Sequence, residues 1–170
     1  MRELLIGAGN ARTKKLWREG ATPAFDDLVT LDVDPLCEPD VLWDLNDRPL
    51  PFADEEFDEI HAYEVLEHVG RQGDWRGFFE EFAEYWRILA PAGVLILSCP
   101  KWDSRWAWGD PGHTRVIGAQ CFTFLDQDTY VAQVGKTAMT DYRAVWRHSF
   151  RLVHQSDIDD DMALYALQKV

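Results

Sequence analysis

The chain has 170 residues, a formal net charge of −13 and 46% apolar residues. This length and apolar content predict a single domain with a sizeable core, spanning residues 1–170. The negative charge argues against nucleic acid and anionic membrane surfaces as partners, because both attract clustered lysine and arginine. No stretch is long enough to span a membrane, and the three cysteines lack metal-ligand spacing, so we expect a reduced, cytoplasmic protein.

The first hundred residues contain five short apolar runs that predict β-strands. Several are bounded by glycine, proline or aspartate, which commonly end strands. The fifth run is apolar on both faces, as expected of a central parallel strand. In chain order the predicted strands are ELLIG (3–7), LVTLD (28–32), DVLW (40–43), FDEIHAY (57–63) and GVLILSCP (93–100).

Three segments predict helices. Residues 10–19 suit a short helix after the first strand, and residues 119–135 suit another near the C-terminal end. Residues 73–90 give the strongest helical pattern, because large apolar residues recur there at helical spacing between Glu and Arg. Those apolar residues are Phe78, Phe82, Tyr85, Trp86 and Leu89.

Strands that alternate with helices predict a parallel sheet with ligands bound at the carboxyl ends of its strands. Two last strand-like runs, 149–157 and 162–170, are joined by an acidic turn and predict a terminal antiparallel hairpin. Strands 2, 3 and 4 are separated by few residues, so we expect reduced helices between them. One face of the sheet would then be thinly covered and could serve as an oligomer contact or a lipid-like ligand surface.

The first strand ends in a glycine pair that could approach a ligand. Gly7 and Gly9 allow sharp turns and close contact, although an ordinary strand-to-helix turn fits them equally well. Asp32 closes the second strand, where an acid can accept from both hydroxyls of a ribose. Arg12 stands where a dinucleotide-binding fingerprint has its third glycine. A cofactor that has a ribose but no phosphate therefore fits better.

Further acidic residues end the third and fourth strands. Asp44 is placed to accept from an exocyclic amine such as that of adenine, with Leu45 packing on the ring. Alternatively, Asp44 caps a turn. Glu64 follows the fourth strand and could face the cofactor, whereas His68 suits a hydrogen-bonded structural role.

With these residues the sequence resembles class I S-adenosylmethionine-dependent methyltransferases of the small bacterial "methyltransferase type 11" kind. Four blocks carry the resemblance in order over about residues 3–100: LLIGAGN, LDVDP, DLNDRPLPFADEEFDEIHAYEVLEHV and WRILAPAGVLILSCP. The resemblance implies an α/β, Rossmann-like, mostly parallel sheet of seven strands with a C-terminal antiparallel hairpin. Residues 1–100 would form the cofactor-binding half, and residues 101–170 the substrate loop, a helix and the hairpin.

The resemblance also implies S-adenosylmethionine as the cofactor and assigns residues to it. Asp32 would bind the ribose hydroxyls and Glu64 would lie near the methionine end. The remaining cofactor-binding residues would be Gly7, Ala8 and Gly9 beside the methionine and ribose, and Asp44 with Leu45 at the adenine.

The sequence departs from the family pattern in two ways. Leu4 and Leu5 stand where the family usually has an acid before the first glycine, and Ala11 replaces a later glycine. In addition, helices that usually precede the first strand and cover the substrate are not represented. We therefore expect an open substrate site or one covered by a second subunit, which favours a homodimer.

The segment after the fifth strand is the predicted substrate loop, because loops at the carboxyl edge read substrates. Many family members carry a similar Asp-Pro-x-His-x-Arg segment. His113 would be the base, oriented by Asp110, and Arg115 would bind a carboxylate or phosphate. Three tryptophans, Trp102, Trp106 and Trp108, would stack on a planar or sugar-like acceptor. Alternatively, they form a small satellite core and His113 only braces the loop.

The expected function is methyl transfer from S-adenosylmethionine to a small-molecule acceptor, such as a saccharide or a lipid-linked headgroup. No Asp-Pro-Pro-Tyr motif for nucleic-acid amino groups is present. One alternative is a scaffold that binds the cofactor but has weak or no activity. The other is a nicotinamide-dependent oxidoreductase, which Arg12 and the lack of a Tyr-x-x-x-Lys pair disfavour.

Overall fold

Seven strands form one sheet in the computed structural model, which describes residues 1–170. The strands are β1 (Arg2–Ile6), β2 (Asp27–Asp32), β3 (Val41–Leu42), β4 (Phe57–Tyr63), β5 (Leu89–Pro100), β6 (Phe150–Asp157) and β7 (Met162–Lys169). Their order across the sheet is β3-β2-β1-β4-β5-β7-β6. The first five strands are parallel, and β7 runs antiparallel to both β5 and β6. This confirms the predicted Rossmann-like fold with its C-terminal hairpin.

One long helix and three short ones accompany the sheet: α1 (Trp75–Ile88), α2 (Arg105–Gly109), α3 (Ala119–Phe122) and α4 (Gln127–Gln133). Between β2 and β4 the only helical piece is the 3-10 turn Pro35–Cys37, so the predicted shortage of crossover helices is confirmed. The helix expected over 119–135 is broken, because the 3-10 turn Thr123–Leu125 separates α3 from α4. None of the helices is long and apolar enough to cross a bilayer.

Helix α1 begins where Asp74 accepts a hydrogen bond from the backbone N–H of Gly77 at 3.0 Å, satisfying a free helix N–H. Its buried apolar face differs slightly from the predicted one. Phe78 and Trp86 are only half-buried, and Leu89 already belongs to β5. The face that packs on the sheet consists of Phe79, Phe82, Tyr85 and Ile88.

The two faces of the sheet are covered very differently. Because side chains alternate along a strand, each strand contributes to both faces. The face under α1 belongs to a core of 27 buried apolar residues, including Leu4, Ile60 and Leu95. The opposite face has a cluster of only four such residues: Val94, Ile96, Leu164 and Ala166. The main hydrophobic stabilisation therefore comes from the α1 side.

The segment 10–25 lies over this second face without forming a helix, so the predicted helix over 10–19 is wrong. Its backbone is held by the sheet instead. The N–H of Lys15 donates to the Tyr63 hydroxyl at 3.1 Å, so this N–H is not available for a helical hydrogen bond.

A buried charged network lies between this segment and the sheet. The Lys14 ammonium is ion-paired with Glu3 and lies 3.1 Å from Glu59 Oε2, while His61 Nε2 lies 3.2 Å from Glu3 Oε1. All four side chains are buried. Burial opposes ionisation of Glu59, but its contacts with His61 and Lys14 outweigh it and lower its pKa to about 2.

Candidate active site

The glycine loop after β1 is shaped by close packing. Gly7 has a φ of +59°, and a Cβ added there would lie 2.3 Å from Cγ2 of Val65. Gly9 has a φ of +50°, but a Cβ there would meet nothing within 4 Å. The first glycine is therefore required both by its conformation and by lack of space, whereas the second is required by its conformation alone.

Two neighbouring cavities open at the carboxyl edge of the parallel strands, and both are lined by Gly7 and Glu64. One, of about 250 Å³, follows the glycine loop; the other, of about 390 Å³, follows the ends of β2 and β3. Every residue that the sequence assigned to the cofactor lines at least one of them: Gly7, Ala8, Gly9, Asp32, Asp44, Leu45 and Glu64.

Asp32, the last residue of β2, is hydrogen-bonded to the glycine loop. Its Oδ2 accepts from the backbone N–H of Gly9 at 2.8 Å, and its Oδ1 accepts from that of Asp34 at 2.9 Å. A carboxylate has about four lone-pair positions, so each oxygen can accept once more. The side chain can therefore hold the loop and still receive ligand hydroxyls.

Asp44 caps a turn and also lines the larger cavity. Its Oδ1 accepts from the backbone and side-chain nitrogens of Asn46 at 2.8 and 2.9 Å, while Oδ2 makes no hydrogen bond. The two interpretations of Asp44 are therefore compatible. Leu45 is buried in the main core, and Trp43 offers an aromatic ring to the same cavity. Trp43 is not among the site residues predicted from the sequence, although it directly precedes Asp44.

Glu64 follows β4 with a φ of +57°, which is rare for a residue with a side chain. Its backbone N–H donates to the Ser98 carbonyl at 2.8 Å, which helps to fix this conformation. Its carboxylate is ion-paired with Lys15 and accepts from the Ser98 hydroxyl at 3.2 Å. Lys15, which sequence reasoning missed, thus brings a positive charge into the smaller cavity.

The three tryptophans of the predicted substrate loop after β5 are exposed. Trp102, Trp106 and Trp108 expose 64%, 49% and 71% of their surface, so the alternative of a satellite core is wrong. They are held locally: Trp108 Nε1 donates to the Trp102 carbonyl at 3.1 Å, and the Arg105 guanidinium lies 5.0 Å from the Trp106 ring. The rings are accessible to a ligand.

The expectation that Arg115 binds a substrate anion needs correction. Arg115 is buried, its Nη2 donates to Glu81 at 2.8 Å, and its Nε donates to the Leu66 carbonyl at 2.9 Å. Burial disfavours the guanidinium, but the Glu81 carboxylate outweighs it and raises the pKa of Arg115. Breaking a buried pair is costly, so Arg115 fixes α1 to the 3-10 turn Leu66–His68.

His113 lies with its Nε2 3.9 Å from Asp110 Oδ2, too far for a direct hydrogen bond. Its ring packs edge-on against His68, with the centroids 4.7 Å apart. Glu67 is adjacent and buried, and burial raises the pKa of its carboxyl group. The 3-10 turn after β4 and the loop after β5 thus bring two imidazoles and one carboxyl group together. His68 also lines the larger cavity.

The sheet order, the glycine loop and the strand-end carboxylates together define a Rossmann-like domain with a nucleoside-sized site. A profile of the family described as "Methyltransferase domain" matches residues 4–97, which is more than half of the chain. The chain therefore belongs to this family, and the predicted membership is confirmed. It is an S-adenosylmethionine-dependent methyltransferase.

Solved structures share the whole fold at low sequence identity. A SAM-dependent methyltransferase from Archaeoglobus fulgidus is 12% identical, with a TM-score of 0.58; the match covers 99% of this chain and 86% of that one. The N-methyltransferase NodS from Bradyrhizobium japonicum WM9, in complex with S-adenosyl-L-homocysteine, is 16% identical, with a TM-score of 0.55 and coverages of 99% and 77%. Among curated proteins, none matches the sequence.

Proposed function

We propose that this methyltransferase acts on a small-molecule acceptor, with a saccharide or a lipid-linked headgroup as the first candidates. One observation carries the proposal. The seven residues assigned to the cofactor surround two neighbouring cavities, and three accessible tryptophans follow β5, which ends at the same edge of the sheet. Tryptophan faces suit the apolar faces of sugar rings and other planar groups.

The proposed pose follows the chemistry of the cofactor. Adenine enters the larger cavity beside Trp43 and Asp44, and the ribose hydroxyls donate to Asp32. The methionine part extends past Gly7 into the smaller cavity. S-adenosylmethionine carries a sulfonium and an ammonium but no phosphate, so carboxylates at the strand ends attract it, and charge-assisted hydrogen bonds of this kind are strong.

Glu64 is the proposed acceptor for the methionine ammonium. The family pattern places an acid before the first glycine, but Leu5 occupies that position and lines the smaller cavity with an apolar side chain. Glu64 lines the same cavity with a carboxylate. This carboxylate is ion-paired with Lys15, and we propose that the cofactor ammonium takes the place of the lysine.

The proposed reaction is an in-line displacement. The acceptor atom forms a bond to the methyl carbon while the carbon–sulfur bond breaks, and its electron pair returns to sulfur to give S-adenosylhomocysteine. Alignment of the three atoms supplies much of the rate. For a hydroxyl acceptor, His113 is the first candidate to take the proton. Asp110 would orient the ring after moving from 3.9 Å to within hydrogen-bond distance of its Nε2.

The test has two stages. Calorimetric titration with S-adenosylhomocysteine should give micromolar binding, and NADH should not bind. Transfer of a labelled methyl group should then be measured on saccharides and on lipid headgroups, with nucleic acid as the comparison acceptor. Labelled nucleic acid would overturn the small-molecule proposal, whereas binding without transfer to any acceptor would favour the scaffold alternative.

The fold alone does not decide between these outcomes, because the [4+2]-cyclase SpnF shares it at 12% identity and a TM-score of 0.54.

The cytoplasmic location and the homodimer stay predictions. For the homodimer, the exposed apolar side chains Val33, Leu36 and Leu42 near the edge strand β3 are the proposed contact. Sedimentation of a Leu36→Asp variant, compared with the unmodified protein, tests this.

A further inference from the structure

Glu67, His68 and His113 bring three metal-ligating groups together beside the cofactor cavities. One carboxylate oxygen of Glu67 and one ring nitrogen of each histidine all lie within 4.8 Å of one another. Two donors to one ion lie at most about 4.2 Å apart, twice a bond length of about 2.1 Å. Modest side-chain rotations would therefore bring all three within bonding distance of a common centre.

Two of these groups have buried atoms without a partner. Glu67 is only 2% exposed, and its Oε2 accepts no hydrogen bond. The side chain of His113 is only 8% exposed, and its Nδ1 makes no hydrogen bond. Buried polar atoms are normally satisfied, because an unpaired one has lost its contact with water without gaining a hydrogen bond. A ligand between these side chains would satisfy both atoms at once.

One of the two histidines has the second-nitrogen contact that is usual in metal sites. His68 Nδ1 lies 3.1 Å from the Gly112 carbonyl, to which it can donate, leaving Nε2 as the free nitrogen. His113 Nε2 lies 3.9 Å from Asp110 Oδ2, beyond direct hydrogen-bond distance, and its Nδ1 makes no hydrogen bond. A histidine that binds a metal usually donates its other nitrogen to a carbonyl or carboxylate, which fixes its tautomer and orientation.

Backbone contacts keep the two loops together. The Thr114 N–H donates to the Glu67 carbonyl at 2.9 Å, and the Thr114 hydroxyl lies 3.2 Å from the same oxygen. Thr114 and Glu67, which adjoin His113 and His68 in the sequence, are thus hydrogen-bonded to each other. Pre-positioned ligands of this kind lower the entropy cost of binding an ion.

A second cluster of two carboxylates and a histidine already contains a positive charge from the protein itself. Glu3, Glu59 and His61 also offer three grouped donors. There the Lys14 ammonium already lies between the carboxylates and supplies the positive charge. No lysine or arginine is ion-paired with Glu67, so its site has no such internal cation.

We propose that Glu67, His68 and His113 bind a divalent transition-metal ion. Two imidazoles and one carboxylate suit zinc, cobalt or iron better than magnesium, which prefers oxygen ligands. Three protein ligands would leave a position open for water or an acceptor oxygen.

The catalytic consequence rests on the proposed methyl transfer, whereas metal binding itself does not. A bound ion lowers the pKa of a coordinated hydroxyl, which releases its proton to solvent and becomes a better nucleophile. His113 would then hold the ion instead of taking the proton. This narrows the acceptor to a molecule with a hydroxyl group, or a pair of them, that can reach the metal.

The test uses tag-free protein freed of metal with a chelator and then titrated with Co²⁺, followed by visible absorption, and with Zn²⁺, followed by calorimetry. We expect one equivalent of each to bind and Mg²⁺ to bind far more weakly. His68→Ala, Glu67→Gln and His113→Asn should each lower the affinity at least about 10-fold. The matched control is His154→Ala, because His154 contacts Ser156 on β6.

Folding and cofactor binding are measured separately. His68 is exposed, so His68→Ala should keep the circular dichroism spectrum of the unmodified protein. The S-adenosylhomocysteine affinity is measured on the unmodified protein and on His154→Ala, which lies outside both cofactor cavities. Absence of Co²⁺ binding, or binding that all three variants retain, overturns the metal site. If Co²⁺ binds as expected but S-adenosylhomocysteine does not, the metal site stands and the proposed function fails.

Discussion

Asp32 accepts a hydrogen bond from the backbone N–H of Gly9 at 2.8 Å, so the carboxylate at the end of β2 holds the loop at the end of β1. The contact joins two blocks of sequence 23 residues apart. One side chain thus both shapes the glycine loop and is available to a ribose. A substitution at Asp32 therefore affects the glycine loop as well as the proposed ribose contact.

Asp32→Ala should weaken S-adenosylhomocysteine binding at least about 100-fold, because two hydrogen bonds to a charged acceptor of about 1.5–3 kcal/mol each are lost. Calorimetric titration measures the change. The control is Asp34→Ala: the Asp34 side chain accepts from Leu36 N at 2.9 Å and caps a 3-10 turn. Its loss should change the affinity less than about threefold. Equal losses in both variants would contradict the ribose contact.

Gly7→Ala should disrupt the site far more than Gly9→Ala. The added methyl at position 7 would overlap the Val65 side chain, whereas the one at position 9 meets no atom within 4 Å. Gly9→Ala should cost only the conformational strain of about 1 kcal/mol. Thermal unfolding and cofactor titration of both variants check this. Similar effects at the two positions would mean that the loop relaxes around Val65.

Lys15→Gln should strengthen cofactor binding and Glu64→Gln should weaken it. In the proposed pose the lysine neutralises the Glu64 carboxylate and is displaced by the incoming ammonium, so removal of the lysine leaves a free anion. We expect changes of about 3- to 10-fold in opposite directions, since part of the charge is screened by solvent. Titrations at low and high salt should show both effects shrinking as salt rises. Changes of the same sign would rule out this competition.

The parts of the fold that depend on local pattern could be predicted from the sequence. The alternating strand over 57–63 and the amphipathic helix over 73–90 formed at nearly the predicted positions. Asp32 and Asp44 could be placed at the site because each follows an apolar strand, and parallel strands end at one edge.

The parts that depend on partners distant in sequence could not be predicted. Residues 10–19 have the composition of a helix, but Lys14 pairs with Glu3 and Glu59, and the Lys15 backbone bonds Tyr63. Likewise, Arg115 lies in a loop beside a predicted substrate site, yet its partner Glu81 is on α1. No local signal identifies such pairs.

Arg115→Met should lower the free energy of unfolding by about 3–5 kcal/mol, because it leaves the Glu81 carboxylate buried without its main partner. Urea denaturation measures the loss, and Arg71→Met, at an exposed position, should change stability by less than about 0.5 kcal/mol. A variant of normal stability with a raised KM for an anionic acceptor would restore the substrate role.

Protonation of Glu59 should contribute to the loss of stability in acid. Its pKa is about 2 in the folded protein against an ordinary 4.5, so its contribution is present above about pH 4.5 and is lost as the pH falls towards 2. The shift corresponds to about 3 kcal/mol. Urea unfolding between about pH 5 and pH 3 should show a shallower decline for Glu59→Gln than for the unmodified chain. Parallel declines would contradict this contribution of Glu59 to stability.

Residues 10–25, which lie over the second sheet face, are attached to it in a way that affects local motion. Residues 10–25 contribute few apolar side chains to the second-face core and form no helix, while Lys14 and Lys15 attach them through charges. In hydrogen exchange, we expect this segment to open first, long before the central strands β4 and β5 release their amide protons. Because the segment adjoins the glycine loop, cofactor binding should slow its exchange more than that of any other surface segment.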